Sequence, residues 1–148
     1  MLVGWRVADI HEGGCVCGAL RYRAEGAPLR VTVCHCTWCQ RRTGSAFATS
    51  AVFEAARLQL LGQARTYRHV SDESGRWLEL HFCSTCGTNV GFTLEWVPGI
   101  FAVSAGTFDE PRWLDPRVHD FRYVYLRSAQ CWSTLPEGAA RYERHFRD

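Results

Sequence analysis

Apolar and polar positions alternate over short stretches along most of the chain, and only one stretch carries a helical period. Segments 19–24, 29–34, 47–53, 58–61, 66–70, 89–96, 100–105 and 121–126 hold β-branched and aromatic residues between Gly, Pro and Asp punctuation, which predicts strands. Segment 76–82 alternates only in part, with Trp77, Leu78, Leu80 and Phe82, as expected of a strand covered on both faces. Segment 37–43 contains the helix formers Gln40, Arg41 and Arg42 and is followed by Gly44, which predicts a short helix with a glycine stop. After Pro111 the chain is richer in Pro and polar residues until the last strand, and no repeat or low-complexity segment occurs. The pattern predicts a mostly β fold of short antiparallel strands with at most short helices.

Composition narrows the class. A length of 148 residues predicts one domain over 1–148 with a core of its own, and 47% hydrophobic against 22% charged residues excludes a disordered chain. The formal charge of +2 is spread over both signs, which argues against nucleic acid as a partner, although every basic residue is Arg. No apolar run approaches the ~20 residues of a membrane span. The first ten residues include Arg6 and Asp9 and hold no signal-like apolar segment, so a soluble, cytoplasmic protein is expected.

Eight cysteines carry the chemistry: Cys15, Cys17, Cys34, Cys36, Cys39, Cys83, Cys86 and Cys131. In a reducing compartment such thiols bind metal more often than they pair. If Cys15 and Cys17 lie on a strand, their Cα atoms sit ~6.5–7 Å apart, at the limit for a disulfide, with both side chains on one face. Cys83-Ser84-Thr85-Cys86-Gly87 reads as a zinc knuckle whose backbone N–H groups point at sulfur. A structural zinc takes four ligands, so seven clustered cysteines divide into a closed four and an open three, and a three-cysteine site leaves a position for water or substrate. Spacing permits two divisions. Cys36, Cys39, Cys83 and Cys86 would leave Cys15, Cys17 and Cys34; Cys15, Cys17, Cys83 and Cys86 would leave Cys34, Cys36 and Cys39, which are local, and locality favours the latter.

Three stretches in this order, Gly13-Gly14-Cys15-Val16-Cys17-Gly18-Ala19-Leu20-Arg21-Tyr22, Cys34-His35-Cys36-Thr37-Trp38-Cys39-Gln40-Arg41-Arg42-Thr43-Gly44-Ser45-Ala46-Phe47 and Phe82-Cys83-Ser84-Thr85-Cys86-Gly87-Thr88, resemble the glutathione-dependent formaldehyde-activating family. That family includes centromere protein V and shares the zinc-bearing Mss4-like β-tent fold. The similarity runs from about residue 13 to about residue 146 and takes in His119 and Trp132, while Cys131 stands where the family commonly has Pro. The resemblance implies a structural zinc on Cys15, Cys17, Cys83 and Cys86 and a second, more labile zinc on Cys34, Cys36 and Cys39. It implies a carbon–sulfur lyase activity, condensation of glutathione with formaldehyde to S-(hydroxymethyl)glutathione or its reversal, on a thiol or thiol–aldehyde adduct.

Three thiolates on zinc make a weak Lewis acid that still accepts a soft fourth ligand, and a thiol held there ionises readily. Arg41 and Arg42 follow the open trio and are candidates for substrate carboxylates, or a solvated helix face. Ser45 is a candidate donor and His119 a candidate pocket residue through the family tail. His35 and His81 read as packed residues beside the ligands. Cys131 reads as a small buried residue or a redox-active thiol, and the tryptophans as core or pocket wall. Two other functions fit parts of the pattern: a non-catalytic zinc-stabilised binding module, and a thiol redox sensor using Cys36-Thr37-Trp38-Cys39.

Overall fold

The structure, a computed structural model, describes residues 9–147, so Arg6 and most of the leading segment considered above lie outside the described residues. Strand β1 (Ile10–Gly14) pairs antiparallel with β2 (Arg21–Glu25), and β2 pairs with β5 (Leu58–Leu61), forming a three-stranded sheet. The larger sheet is built from β3 (Arg30–Cys34), β4 (Ala48–Glu54), β6 (Ala64–Val70), β7 (Trp77–Cys83), β8 (Asn89–Leu94), β9 (Val97–Ser104), β10 (Phe121–Val124) and β11 (Ala140–Arg141). Its eight strands run in the order β11-β10-β3-β4-β9-β8-β7-β6. The one α-helix among the described residues, α1 (Thr37–Thr43), connects β3 to β4 over the predicted residues. The fold is mostly β, as expected, with the two sheets facing one another like the flaps of a tent.

Period-two patterning decides which face each residue takes. Along β3, Val31 and Val33 are buried while Arg30, Thr32 and Cys34 are only partly covered. Val31 joins Ala51, Phe53, Phe101 and Val103 on the face that packs against Leu20, Tyr22, Ala24 and Phe108 of the opposing layer. Phe108 meets Tyr22 edge-on at 5.5 Å and Trp113 at 5.2 Å, and burying such a ring stabilises the fold by roughly 1.5–3 kcal/mol. The other face carries Cys34, Ala48, Ser50 and Ser104, which neighbour one another through the pairs Cys34↔Ala48 and Ser50↔Ser104. A smaller cluster of Val52, Ile100 and Ala102 continues that face.

Three expectations need correction. β10 lies parallel to β3, and β11 parallel to β10, because the chain crosses over after Pro111 and re-enters the sheet in the direction of β3. Cys15 and Cys17 are not on a strand: β1 ends at Gly14 and the pair occupies the turn that follows. Cys131 and Trp132 are exposed rather than packed, since the segment after β10 runs over the surface. Among the described residues no helix is long and apolar enough to cross a membrane.

Candidate metal centres and the adjoining pocket

The fold gathers seven of the eight thiols into two groups, and none of the eight forms a disulfide. In the first, the turn after β1 brings Cys15 and Cys17 against Cys83, which ends β7, and Cys86 in the following knuckle. These are the outer ends of the two layers, so the cluster pins one sheet to the other. Sγ of Cys17 lies 3.5 Å from that of Cys15 and 3.7 Å from that of Cys83. A tetrahedron of sulfurs with metal–sulfur bonds of ~2.3 Å has edges of ~3.8 Å, so the donor set fits a metal of zinc's size. Backbone N–H groups of Leu20 and Thr85 donate to Sγ of Cys15 and Cys83, at 3.2 and 3.4 Å, and so favour thiolates. Gly87, at φ 77°, turns the knuckle back towards β8 as a left-handed residue.

The charge state of this group calls for a cation. The hydroxyl and N–H of Thr88 hold the Cys86 thiol down at about 5. Cys17, although the N–H of Ala19 favours its thiolate, is pushed up to about 12 by Cys15, by desolvation and by the other two sulfurs. Four thiols this close cannot all ionise unless positive charge is placed among them.

The second group is Cys34 at the end of β3, Cys36 and Cys39, with all three sulfurs within 4.8 Å of one another. Cys36 is the N-cap of α1, and its sulfur accepts the N–H of Cys39 at 3.3 Å. Gly44 closes the helix at φ 64°. The same tension appears here. Hydrogen bonds from Cys34 and Cys39 hold Cys36 far below the usual thiol range, whereas Cys36, Cys39 and burial push Cys34 far up. Among the described residues no fourth His, Cys, Asp or Glu ligand joins the trio. Two cysteine clusters, one closed and one open, can therefore each hold a metal ion.

The other candidates fall in different places. His35 is buried, packs its ring against Phe47 at 5.2 Å, and stands outside the trio. His81 lies against Phe101 at 5.1 Å, outside the four-cysteine group. Arg41 and Ser45 are exposed at the end of α1. Arg42 is half-buried: its Nη1 donates to Oδ1 of Asn89 at 3.0 Å, and its guanidinium lies 5.4 Å from the ring of Trp38 and 5.3 Å from that of Phe92. It lines a cavity of about 230 Å³ together with Thr43, Phe47, Thr49, Ser104 and Thr107. Ala48, the strand partner of Cys34, also lines it, so the cavity comes within one residue of the trio, although none of the three cysteines lines it.

His119 is not brought to the trio. Parallel pairing sets Phe121 opposite Val31 and Val124 opposite Cys34, so His119 precedes the far end of that register. There it lies edge-on to Trp113 at 5.3 Å and lines a separate cavity of about 670 Å³. The Cys36–Cys39 segment joins antiparallel strands, so the parallel βαβ setting of a thioredoxin-like redox motif is not present.

Two positioning side chains were not singled out from the sequence. Nε2 of Gln40 donates to the carbonyls of His35 and Ser128, at 2.8 and 2.9 Å, and Oε1 accepts from Gln130 at 2.7 Å, tying the tail to α1. Asn89 holds Arg42. An isolated Gln or Asn leaves no mark in a sequence; the only available signal was that each lies within a few residues of a cysteine motif.

A tent of two β layers with a closed and an open cysteine cluster is the architecture of a β protein able to hold metal ions. The chain belongs to the family described as glutathione-dependent formaldehyde-activating enzyme, whose model matches residues 10–123. In fold it is similar to a Rhodobacter sphaeroides protein known from a crystal structure, with a TM-score of 0.55 and 20% sequence identity over 76% of this chain and 99% of that one.

Proposed function

We propose that the protein is a zinc-dependent carbon–sulfur lyase that makes or cleaves the adduct of a thiol and an aldehyde, as in S-(hydroxymethyl)glutathione synthesis. The observation that carries the proposal is the trio of Cys34, Cys36 and Cys39, three sulfurs within bonding reach of one ion with no fourth protein ligand among the described residues. Cys15, Cys17, Cys83 and Cys86 take the structural zinc, and the trio takes the second. Zinc bound to three thiolates supplies a vacant position at which an incoming thiol is held as its thiolate.

The chain's own groups do the rest. The Cys39 N–H and the start of α1 stabilise negative charge on Cys36, which favours that one thiolate of the trio. Arg42, with Arg41 and Ser45, which are exposed at the other end of the helix, binds the polar parts of the substrate in this reading. In the forward direction the sulfur–carbon bond forms, the carbonyl π bond breaks, and the thiol proton ends on the new hydroxyl oxygen. His119, at the far end of β3, takes no part in this step.

The test is exchange NMR of glutathione with ¹³C-formaldehyde, which reads adduct formation without a coupled enzyme. Zinc-loaded protein should accelerate exchange and Cys36→Ser should abolish the acceleration. Exchange at the uncatalysed rate with the zinc-loaded protein, for glutathione and for a panel of smaller thiols and aldehydes, would leave a zinc-stabilised binding module as the better reading.

A further inference from the structure

Most arginines close to a carboxylate in this protein are neutralised by it: Arg21 by Asp109, Arg68 by Glu79, Arg117 by Asp115, Arg122 by Asp120, and Arg127 and Arg144 by Glu73. Arg42 differs. It is half-buried between two aromatic rings, its Nε is buried with no hydrogen-bond partner, and its one hydrogen bond goes to a neutral amide. A half-buried guanidinium with no carboxylate partner among the described residues is available to an incoming anion.

Asn89 is built into the sheet in a way that fixes this cation. β7 and β8 pair His81 with Gly91 and Phe82 with Asn89, so Val90 is an extra residue at a bulge. The bulge resets the alternation: Val90 turns fully into the main core, and Asn89 turns to the face bearing the trio. It also leaves the carbonyls of His81 and Gly91 facing the Asn89 amide, whose Nδ2 donates to both at 2.9 Å. Those partners only accept, and Arg42 only donates, so the amide has one possible orientation and its Oδ1 must face the guanidinium. Ser104 adds a weaker donation to the same oxygen at 3.4 Å.

We propose that Asn89 is a positioning residue that aims Arg42 at the carboxylate of a thiol substrate, seated in the 230 Å³ cavity beside the cysteine trio. The inference rests on the reading of the trio as a thiol site and adds to it the residue that orients the substrate's carboxylate contact. On α1, Cys39 and Arg42 are three residues apart, a rise of ~4.5 Å, so sulfur and carboxylate of one small molecule span the two. Phe47, Thr49, Ser104 and Thr107 are among the residues that complete the cavity wall.

The experiment compares 3-mercaptopropionate with its methyl ester on protein loaded with cobalt(II) at both sites, reading affinity by calorimetry and thiol coordination by the visible cobalt bands. For the unmodified protein, one charge-assisted contact predicts that the acid binds roughly 10-fold or more tightly than the ester. Arg42→Gln should bring the two affinities together by weakening the acid, with the cobalt bands at saturation still reporting a bound thiol for both ligands. Asn89→Leu should reduce acid affinity selectively, and Ser104→Ala, which disturbs the bulge less, should do so by a smaller factor. Equal affinities for acid and ester in the unmodified protein, with the cobalt bands responding to both, would overturn the inference and leave the thiol reading standing. Equal weakening of both ligands by Asn89→Leu and by Ser104→Ala would make Asn89 merely structural. Cobalt bands that respond to neither thiol would instead refute the function on which the inference rests.

Discussion

Replacing one sulfur by oxygen at Cys83 and at Cys36 perturbs the two clusters in ways the structure separates. Cys17 and Cys83 lie 66 residues apart in the chain, so only the folded protein assembles the four-cysteine group. Structural zinc sites bind with ~10–16 kcal/mol, or about 3 kcal/mol for each of four sulfurs, against ~5–15 kcal/mol for the stability of a whole domain. At ~2–4 °C per kcal/mol for a chain of this size, Cys83→Ser should lower the melting temperature by about 10 °C or prevent folding. Cys36 behaves differently for two reasons. Serine is a better N-cap than cysteine, so the hydrogen bond from the Cys39 N–H survives the exchange. Cys34, Cys36 and Cys39 also lie within one short segment, so the unfolded chain retains affinity for their metal and folding gains little from it. The melting temperature of Cys36→Ser should therefore stay within about 4 °C of the unmodified protein, a change of about 1 kcal/mol. Circular-dichroism melts paired with metal analysis read both quantities: near-native melting with one metal lost for Cys36→Ser, and a collapse for Cys83→Ser. Equal losses of stability in the two variants would refute the division of roles.

Other substitutions test the packing that holds the clusters in place. A Cβ at Gly91 would run into the Phe101 ring and the Ala102 carbonyl, so Gly91→Ala should cost about 1–3 kcal/mol or more in chemical denaturation; a neutral effect would contradict the close approach of β8 and β9. Phe108→Ala empties the space between Tyr22, Phe53 and Trp113 and should cost about 3–5 kcal/mol by the same measurement, an unchanged midpoint refuting the assigned core. Burial lowers the pKa of His11, opposed by Asp9 and assisted by His119, while its ring stacks on Trp113 at 3.6 Å. The unfolded chain then takes up the proton first, so stability contributed by neutral His11 is present above about pH 6.5 and declines as pH falls below it. His11→Phe keeps the stack and should flatten the fall in melting temperature between about pH 7 and 5; an unaltered slope would refute the assignment.

Local patterns carried much of this architecture and little of its long-range pairing. The helix Thr37–Thr43 and the strand Leu58–Leu61 occur on the residues whose spacing predicted them. β1, by contrast, was not anticipated, since Ile-His-Glu-Gly-Gly offers one apolar residue and two glycines. Its pairing depends on the close approach of Gly13 to Tyr22 and Thr107, a contact with residues far along the chain. The parallel entry of β10 is likewise set by a crossover and not by the composition of Phe121–Val124. The grouping of cysteines was legible because each motif is short and the three leftover sulfurs are neighbours, so few arrangements were open. The role of Asn89 was not legible, because a bulge in the pairing of β7 and β8 turns its amide towards Arg42 and no residue type announces that bulge.

Zinc X-ray absorption reads out whether the trio leaves a coordination position open. Two zinc ions per chain are expected, with an average of about 3.5 sulfur neighbours each, rising to about four when a thiol is added and falling when Cys36 is replaced. A single zinc per chain, or four sulfurs around every zinc before any thiol is supplied, would contradict that expectation.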